Sequence, residues 1–184
     1  MKIYYDLCYD KMKKSKMQVI GIDPGLIHTG WAVIEDDGSK INCLGSGICK
    51  TGNKSDMASR LVSILEQLRS IIQKFKIESG AIEKAFVKND PLAALKLGQA
   101  RASAMIALGE SKIEVSEYAP NYVKKIFTGR GHATKEEVEK MASLQFPKLS
   151  FSRSDEADAL AIAICHMHTL KLNSTLSNAI KKAM

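Results

Sequence analysis

The chain has 184 residues, which is the size of one ordinary domain. Hydrophobic residues make up 45% of it and charged residues 26%, a usage that excludes wholesale disorder. The formal net charge of +7 favours a polyanionic partner, nucleic acid first. No apolar run reaches the roughly 18 residues of a membrane span, and residues 1–16 lack the apolar stretch of a secretory signal. We therefore expect a cytoplasmic protein with no membrane partner and with reduced cysteines.

The first predicted elements are three strands. A short apolar run from Met17 to Asp23 is typical of a strand buried on both faces. Two further β-rich runs follow at 30–35 and 41–50, and the Asp-Gly pair between them indicates a hairpin. The opening is therefore an antiparallel meander whose first strand carries an acid at its C-terminal end.

The rest of the chain alternates helices with two short strands. Apolar residues recur at helical spacing between residues 61 and 75, behind a cap at Ser55 or Asp56. Further strands are predicted at 80–86 and 113–118, and further helices at 91–108, 120–127, 135–145 and 154–170. Thr134 is the predicted cap of the helix at 135–145, with Glu137 at the capping-box position. The order βββαβαβααα predicts an α/β fold, a mixed five-stranded sheet flanked by helices.

Acidic side chains stand at three places where a packed core disfavours charge. Asp23 ends the first strand, Glu83 lies inside an apolar strand, and Asp155 and Asp158 share one face at the start of the last helix. Four carboxylates in one cleft repel one another unless a cation neutralises them. Carboxylate oxygens favour Mg²⁺ or Mn²⁺, and a pair of such ions supports in-line phosphodiester hydrolysis.

Each acid also has a purely structural explanation. The Asp23 side chain can accept hydrogen bonds from the backbone of the following turn. Glu83 can pair with a buried Lys or Arg. Asp155 and Asp158 suit the positive end of the helix dipole. The three explanations must all hold together to replace the metal site, so the acids remain its candidate ligands.

Motifs spread over residues 17–170 resemble those of the RuvC family of Holliday junction resolvases, which belongs to the ribonuclease H-like superfamily of two-metal nucleases. The ordered set carries the resemblance, whereas Ile-Asp-Pro-Gly alone would be weak. The matching stretches are 22–25 with 29–30, 81–83 with 86, 94–101, 118–120, 123–124, 128–131 with 135, and 157–163.

The resemblance implies a ribonuclease H-like fold and a structure-selective endodeoxyribonuclease. Such an enzyme resolves Holliday junctions by paired symmetric nicks during homologous recombination and DNA repair. Carried over residue by residue, the resemblance implies two Mg²⁺ ions per active site, with Mn²⁺ as a substitute. The implied catalytic and metal-binding residues are Asp23, Glu83, Asp155 and Asp158.

The same resemblance implies contacts with four-way junction DNA. Lys124 and Lys135 match basic residues on the DNA face, and Phe86 matches an aromatic residue that stacks on an unpaired base. Arg130, in the neighbouring Gly-rich loop, is a further expected phosphate contact.

The family is dimeric, and the small-residue helix 91–108 is its expected dimer helix. The RuvA–RuvB branch-migration complex is the expected further partner. We expect the nuclease domain to span 17–170, after a dispensable extension, 1–16, and before a basic tail, 171–184.

Two other functions remain open from the sequence. One is a different nuclease of the ribonuclease H-like class, and the other is a non-catalytic junction-binding protein. A sugar kinase or actin-like ATPase also places an Asp before a glycine turn in its first strand. Those proteins need two such lobes, which 184 residues are too few to build.

Overall fold

The computed structural model describes residues 16–52, 55–84 and 90–183. Its elements follow the predicted order. The strands are β1 (Met17–Asp23), β2 (His28–Asp36), β3 (Ile41–Lys50), β4 (Ser79–Glu83) and β5 (Glu114–Tyr118). The helices are α1 (Met57–Ile72), α2 (Pro91–Glu110), α3 (Pro120–Thr128), α4 (Lys135–Gln145) and α5 (Ser154–Ala183). None of these helices is both long enough and apolar enough to cross a membrane.

The described strands form one mixed sheet with the order β3-β2-β1-β4-β5. β1 is its central strand, antiparallel to β2 and parallel to β4. β4 is in turn parallel to β5. Asp23 lies opposite Gly30 of β2, and Ile22 lies opposite Ile82 of β4. The last residues of β1 and β4 therefore come to the same end of the sheet.

The two faces of the sheet bury two separate hydrophobic clusters. On one face Val19, Ala32 and Ile34 pack with α3, α4 and the first half of α5. On the other face Ile20 and Ile22 pack with α1 and α2. Alternate residues of β1 point to opposite sides, so this strand is covered by helices on both faces. The result is a three-layer α/β fold.

Two predicted boundaries are wrong. The strand predicted at 80–86 starts one residue earlier and ends at Glu83, and Phe86 lies outside the described residues. The last helix was expected to end near residue 170, yet it continues to Ala183. Residues 171–183 contain neither Gly nor Pro, so nothing in the sequence ends the helix there.

A buried polar network joins α5 to β4 and β5. The ring of His166 is completely buried, with Nε2 2.8 Å from the Ser79 hydroxyl oxygen. Its Nδ1 atom lies 2.9 Å from the Tyr118 hydroxyl oxygen. Burial lowers the pKa of His166 to about 4. The fold therefore holds this imidazole in its neutral form, with a hydroxyl at each nitrogen.

This burial predicts a loss of stability in mild acid. The unfolded chain takes up the proton of His166 near pH 6.5, whereas the folded chain resists it until about pH 4. We expect the free energy of unfolding to fall by about 3 kcal/mol as the pH drops through that window. Denaturant unfolding of the wild type and of His166→Asn measures it, because the variant should lose this component. His168→Asn, at an exposed neighbour on α5, should keep the wild-type pH dependence.

Candidate active site

Asp23 and Glu83 end neighbouring parallel strands at the centre of the sheet. Each directly follows a residue of the aligned pair Ile22 and Ile82, so the two acids lie side by side. The turn after Asp23 is held by Thr29, whose hydroxyl donates to the carbonyl oxygen of Gly25 at 2.7 Å. A structured turn and a paired strand thus fix the backbone of Asp23 on both sides.

The N-terminus of α5 brings two more acids to this end of the sheet. Gly30, the cross-strand partner of Asp23, lies so close to α5 that an added Cβ would be 2.0 Å from the carbonyl oxygen of Asp155. One turn further on, a Cβ at Gly21 would be 2.3 Å from the carbonyl oxygen of Ala159. Glycines in β1 and β2 therefore let the backbone of α5 rest directly on the sheet.

The electrostatics of these acids show that they face one another. Burial raises the pKa of Asp23 well above its usual range, and the charges of Glu83, Asp158 and Asp155 raise it further. Burial and the charge of Asp158 raise the pKa of Glu83 to about 7. Burial also raises the pKa of Asp158. The structure therefore brings the four predicted acids into one repulsive cluster.

The cluster suits a hard divalent cation in its donor chemistry. It offers carboxylate oxygens alone, the ligands that Mg²⁺ and Mn²⁺ prefer. Within the described ranges, no three His, Cys, Asp or Glu side chains are gathered tightly enough to surround one ion. The acids therefore act on one another through their charges without forming a closed ligand shell.

Two lysines border the acids. The Lys135 Nζ atom lies 3.9 Å from Asp158 Oδ2, and Lys124 Nζ donates to the carbonyl oxygen of Ala133 at 2.6 Å. Both lysines lower the pKa of Glu83 and of Asp158. Lys124 and Lys135, which were predicted as DNA contacts, thus stand beside the predicted catalytic acids.

Arg130 has a different setting. Its guanidinium is paired with Glu137, with Nη1 2.8 Å from Oε1. The other carboxylate oxygen of Glu137 accepts the Thr134 backbone N–H at 2.8 Å and completes the predicted capping box of α4. Arg130 is an exposed side chain that an acid already neutralises. The remaining predicted contact, Phe86, falls outside the described residues.

Sequence reasoning missed two arginines that contact the acids. The Arg153 Nε atom lies 3.0 Å from Asp155 Oδ2, and its place two residues before that acid was the available signal. Arg101 Nε donates to the backbone carbonyl of Glu83 at 3.0 Å, across a long stretch of sequence. Arg101 belongs to the motif at 94–101, but that motif did not predict the hydrogen bond to Glu83.

Comparison with known proteins identifies the family. Residues 19–166 match the family model for crossover junction endodeoxyribonuclease RuvC. A RuvC from Brucella suis is 44% identical over 155 residues, covering 84% of this chain and 90% of the relative. One from Cereibacter sphaeroides is 42% identical over 167 residues, covering 91% of this chain and 99% of the relative.

A solved structure agrees in fold and in sequence. RuvC of T. thermophilus, determined in complex with a Holliday junction substrate, superposes with a TM-score of 0.78 at 32% identity. The match covers 85% of this chain and 96% of that one. The described sheet and helices are accordingly those of a ribonuclease H-like fold. The chain therefore belongs to the RuvC family of crossover junction endodeoxyribonucleases, the enzymes that resolve Holliday junctions.

Proposed function

We propose that this chain cuts four-way DNA junctions with the four acids described above as its catalytic and metal-binding residues. The observation that carries the proposal is the placement of the acids: Asp23 and Glu83 end neighbouring strands, and the start of α5, with Asp155 and Asp158, rests against Gly30 opposite Asp23. Burial, and then the charges of Glu83, Asp158 and Asp155, raise the pKa of Asp23 accordingly. A cluster of half-buried like charges is unfavourable without a cation, and such clusters are typical of active sites. The junction bound to the T. thermophilus relative supports the choice of substrate.

RuvC nucleases are metal-dependent, and we propose two Mg²⁺ ions per active site, with Mn²⁺ able to substitute. Bound there, the ions would lower the pKa of the attacking water and stabilise the leaving oxygen. The half-buried acids of this chain would supply the negative charge that holds the ions. Lys135, beside Asp158, would meet the scissile phosphate, and Lys124 would add a second positive charge on the same side of the acids.

The remaining parts of the proposal concern assembly and DNA contacts. Phe86 would stack on an unpaired base, and Arg130 would contact a phosphate after leaving Glu137. A homodimer formed through α2 would make paired symmetric nicks in opposed strands. It would work with a RuvA–RuvB branch-migration complex in the cytoplasm, in recombination and DNA repair. Residues 1–16 and 171–184 would lie outside the nuclease domain, the first of them dispensable.

A cutting assay on three substrates tests the function. A synthetic four-way junction, a linear duplex of the same sequence and an RNA–DNA hybrid are each incubated with Mg²⁺ or with EDTA. Cleavage of the junction alone, in Mg²⁺ alone, is the expected result. Preferential cleavage of the hybrid would instead favour another ribonuclease H-like activity. Tight junction binding without cleavage in either Mg²⁺ or Mn²⁺ would favour a non-catalytic binding protein.

The salt dependence of junction binding tests the two lysines. Each phosphate contact adds about one to the slope of log affinity against log salt concentration. We expect Lys124→Ala and Lys135→Ala each to flatten that slope by about one, measured by fluorescence anisotropy in EDTA. Lys74→Ala is the matched control, because Lys74 is exposed near the start of β1, at the opposite end of the strand from Asp23. If the slope changed equally in all three variants, Lys124 and Lys135 would be no more important for junction binding than Lys74. The DNA-binding surface would then lie elsewhere.

A further inference from the structure

Arg101 joins α2 to the strand end that carries Glu83. Its Nε atom donates to the backbone carbonyl oxygen of Glu83 at 3.0 Å. A terminal nitrogen of the same guanidinium is bonded to the carboxylate of Glu117 on β5. The Arg101 side chain is only 17% exposed. The contact with Glu83 is therefore partly shielded from water, where charge-assisted hydrogen bonds are stronger than at an open surface, whereas the contact with Glu117 is exposed.

Arg101 contacts Glu83 one residue beyond the last aligned pair of β1 and β4. β4 is aligned with β1 only as far as Ile82, one residue short of the acid. On its other side, β4 is still paired with β5, where Glu83 lies opposite Tyr118. The carbonyl of Glu83 thus lies just past the end of the β1–β4 pairing, where Arg101 supplies a hydrogen-bond donor to it. Fixing this carbonyl restricts the backbone that aims the Glu83 side chain.

Arg101 also has a dedicated partner that holds it in place. Glu117 is one residue before Tyr118, on the strand that neighbours β4. The carboxylate of Glu117 accepts a hydrogen bond from a terminal nitrogen of the guanidinium, while Nε donates to the backbone carbonyl of Glu83. A planar guanidinium that is bonded to two partners has little freedom to move. A lysine ammonium is compact and could not bond both partners in this way.

We propose that Arg101 is a positioning residue for the catalytic carboxylate of Glu83. The inference rests on the proposed role of Glu83 in binding metal. Arg101 acts on the backbone of Glu83 and leaves its carboxylate oxygens available. Without Arg101, β5 still pairs with the end of β4, but the Glu83 carbonyl loses its side-chain donor and the carboxylate is held less firmly beside Asp23 and Asp158. Metal binding and cleavage then suffer, whereas the affinity for the junction does not.

Arg69 of α1 offers a matched control, because its ion pair also involves a residue of α2. It forms a two-point pair with Glu110, with both nitrogen–oxygen distances at 2.7 Å, and so ties α1 to α2. This bridge has the same chemistry as that of Arg101 but lies at the far end of α2 and contacts neither Glu83 nor β4. Arg69→Ala therefore reports what the loss of an arginine bridge on α2 does by itself.

The test measures Mn²⁺ binding to the full chain by electron paramagnetic resonance of the free ion, together with junction affinity in EDTA and junction cleavage. We expect Arg101→Ala to weaken Mn²⁺ binding by about 10–100-fold, as is usual when a residue that orients a metal ligand is lost. Its junction affinity should stay within about twofold of the wild type. Arg101→Lys should be intermediate, because one ammonium cannot hold both partners. Arg69→Ala should match the wild type in all three measurements.

The outcomes separate this inference from the function on which it rests. Wild-type Mn²⁺ affinity in folded Arg101→Ala overturns the role of Arg101, provided that Glu83→Gln weakens binding. If Glu83→Gln also binds Mn²⁺ as the wild type does, the metal site itself is misassigned. Should Arg101→Ala fail to fold, Glu117→Gln takes its place, since it keeps the side-chain shape and weakens the hold on the guanidinium by removing the negative charge. Unchanged Mn²⁺ affinity in both Glu117→Gln and Arg101→Lys would equally overturn the inference.

Discussion

Glu83→Gln is expected to reduce junction cleavage by more than about 100-fold while junctions still bind. Loss of a residue that merely orients a ligand typically costs 10–100-fold, so loss of the ligand charge costs more. Junction affinity in EDTA should persist, because the basic side chains are untouched. Asp23→Asn, Asp155→Asn and Asp158→Asn should behave in the same way, and gel-based cleavage at saturating junction measures all four.

The same substitution should stabilise the metal-free protein. The pKa of Glu83 is raised to about 7, so above that pH the fold carries an ionised carboxylate that it disfavours. This loss of folding stability is absent below about pH 4, where Glu83 is protonated in both the folded and the unfolded chain. It reaches its full size above pH 7. At pH 8 in EDTA, we expect Glu83→Gln to raise the free energy of unfolding by up to about 3 kcal/mol.

Glu66→Gln is the control for this pair of effects, because Glu66 is an exposed acid on α1. It should change neither cleavage nor stability. Full cleavage by Glu83→Gln would remove Glu83 from the active site. An unchanged or lower stability in EDTA would show that the acid does not sit in a repulsive cluster.

Gly30→Ala is expected to damage the fold and the active site together. The added Cβ would lie 2.0 Å from the Asp155 carbonyl oxygen and 2.6 Å from its carbonyl carbon. Both obstacles are backbone, so no side-chain rotation relieves the clash, and the start of α5 has to move. Overpacking of this kind costs about 1–3 kcal/mol and occasionally more. A shift of about 1 Å in Asp155 and Asp158 is enough to slow the reaction about 100-fold.

Thermal unfolding and cleavage by the folded fraction measure these two effects. Gly109→Ala is the control, because its added Cβ would have no atom within 4 Å. That residue lies in the last turn of α2, where alanine is the better helix former by up to about 1 kcal/mol. If Gly30→Ala were as stable and as active as Gly109→Ala, the helix could not rest on the sheet as described.

Local patterns were enough to predict the order of the elements and the four acids. Strand periodicity, the Asp-Gly turn and the Thr134 cap each act over a few residues, and each was confirmed by the structure. The unusual position of an acid such as Glu83, inside an apolar run, is likewise visible in the sequence alone. What the structure adds is that Glu83, Asp158 and Asp155 lie close enough to Asp23 for their charges to raise its pKa.

Contacts between distant residues were beyond the reach of the sequence. Nothing in the local pattern shows that Gly30 must touch the backbone of Asp155, or that Arg101 donates to the carbonyl of Glu83. The end of α5 was misplaced for another reason. The apolar pattern fades near residue 170, but helix formation continues as long as no residue breaks it.

The place of α5 in the core has a consequence for the synthesis of the protein. The helix is synthesised after all five described strands, yet Leu160 and Ile162 belong to the same buried cluster as Val19 of the first strand. A nascent chain that stops short of α5 leaves one face of the sheet uncovered and lacks Asp155 and Asp158. Covering of that face and assembly of the proposed acid cluster therefore both wait until α5 has been synthesised. A nascent chain without α5 is expected to be inactive on DNA.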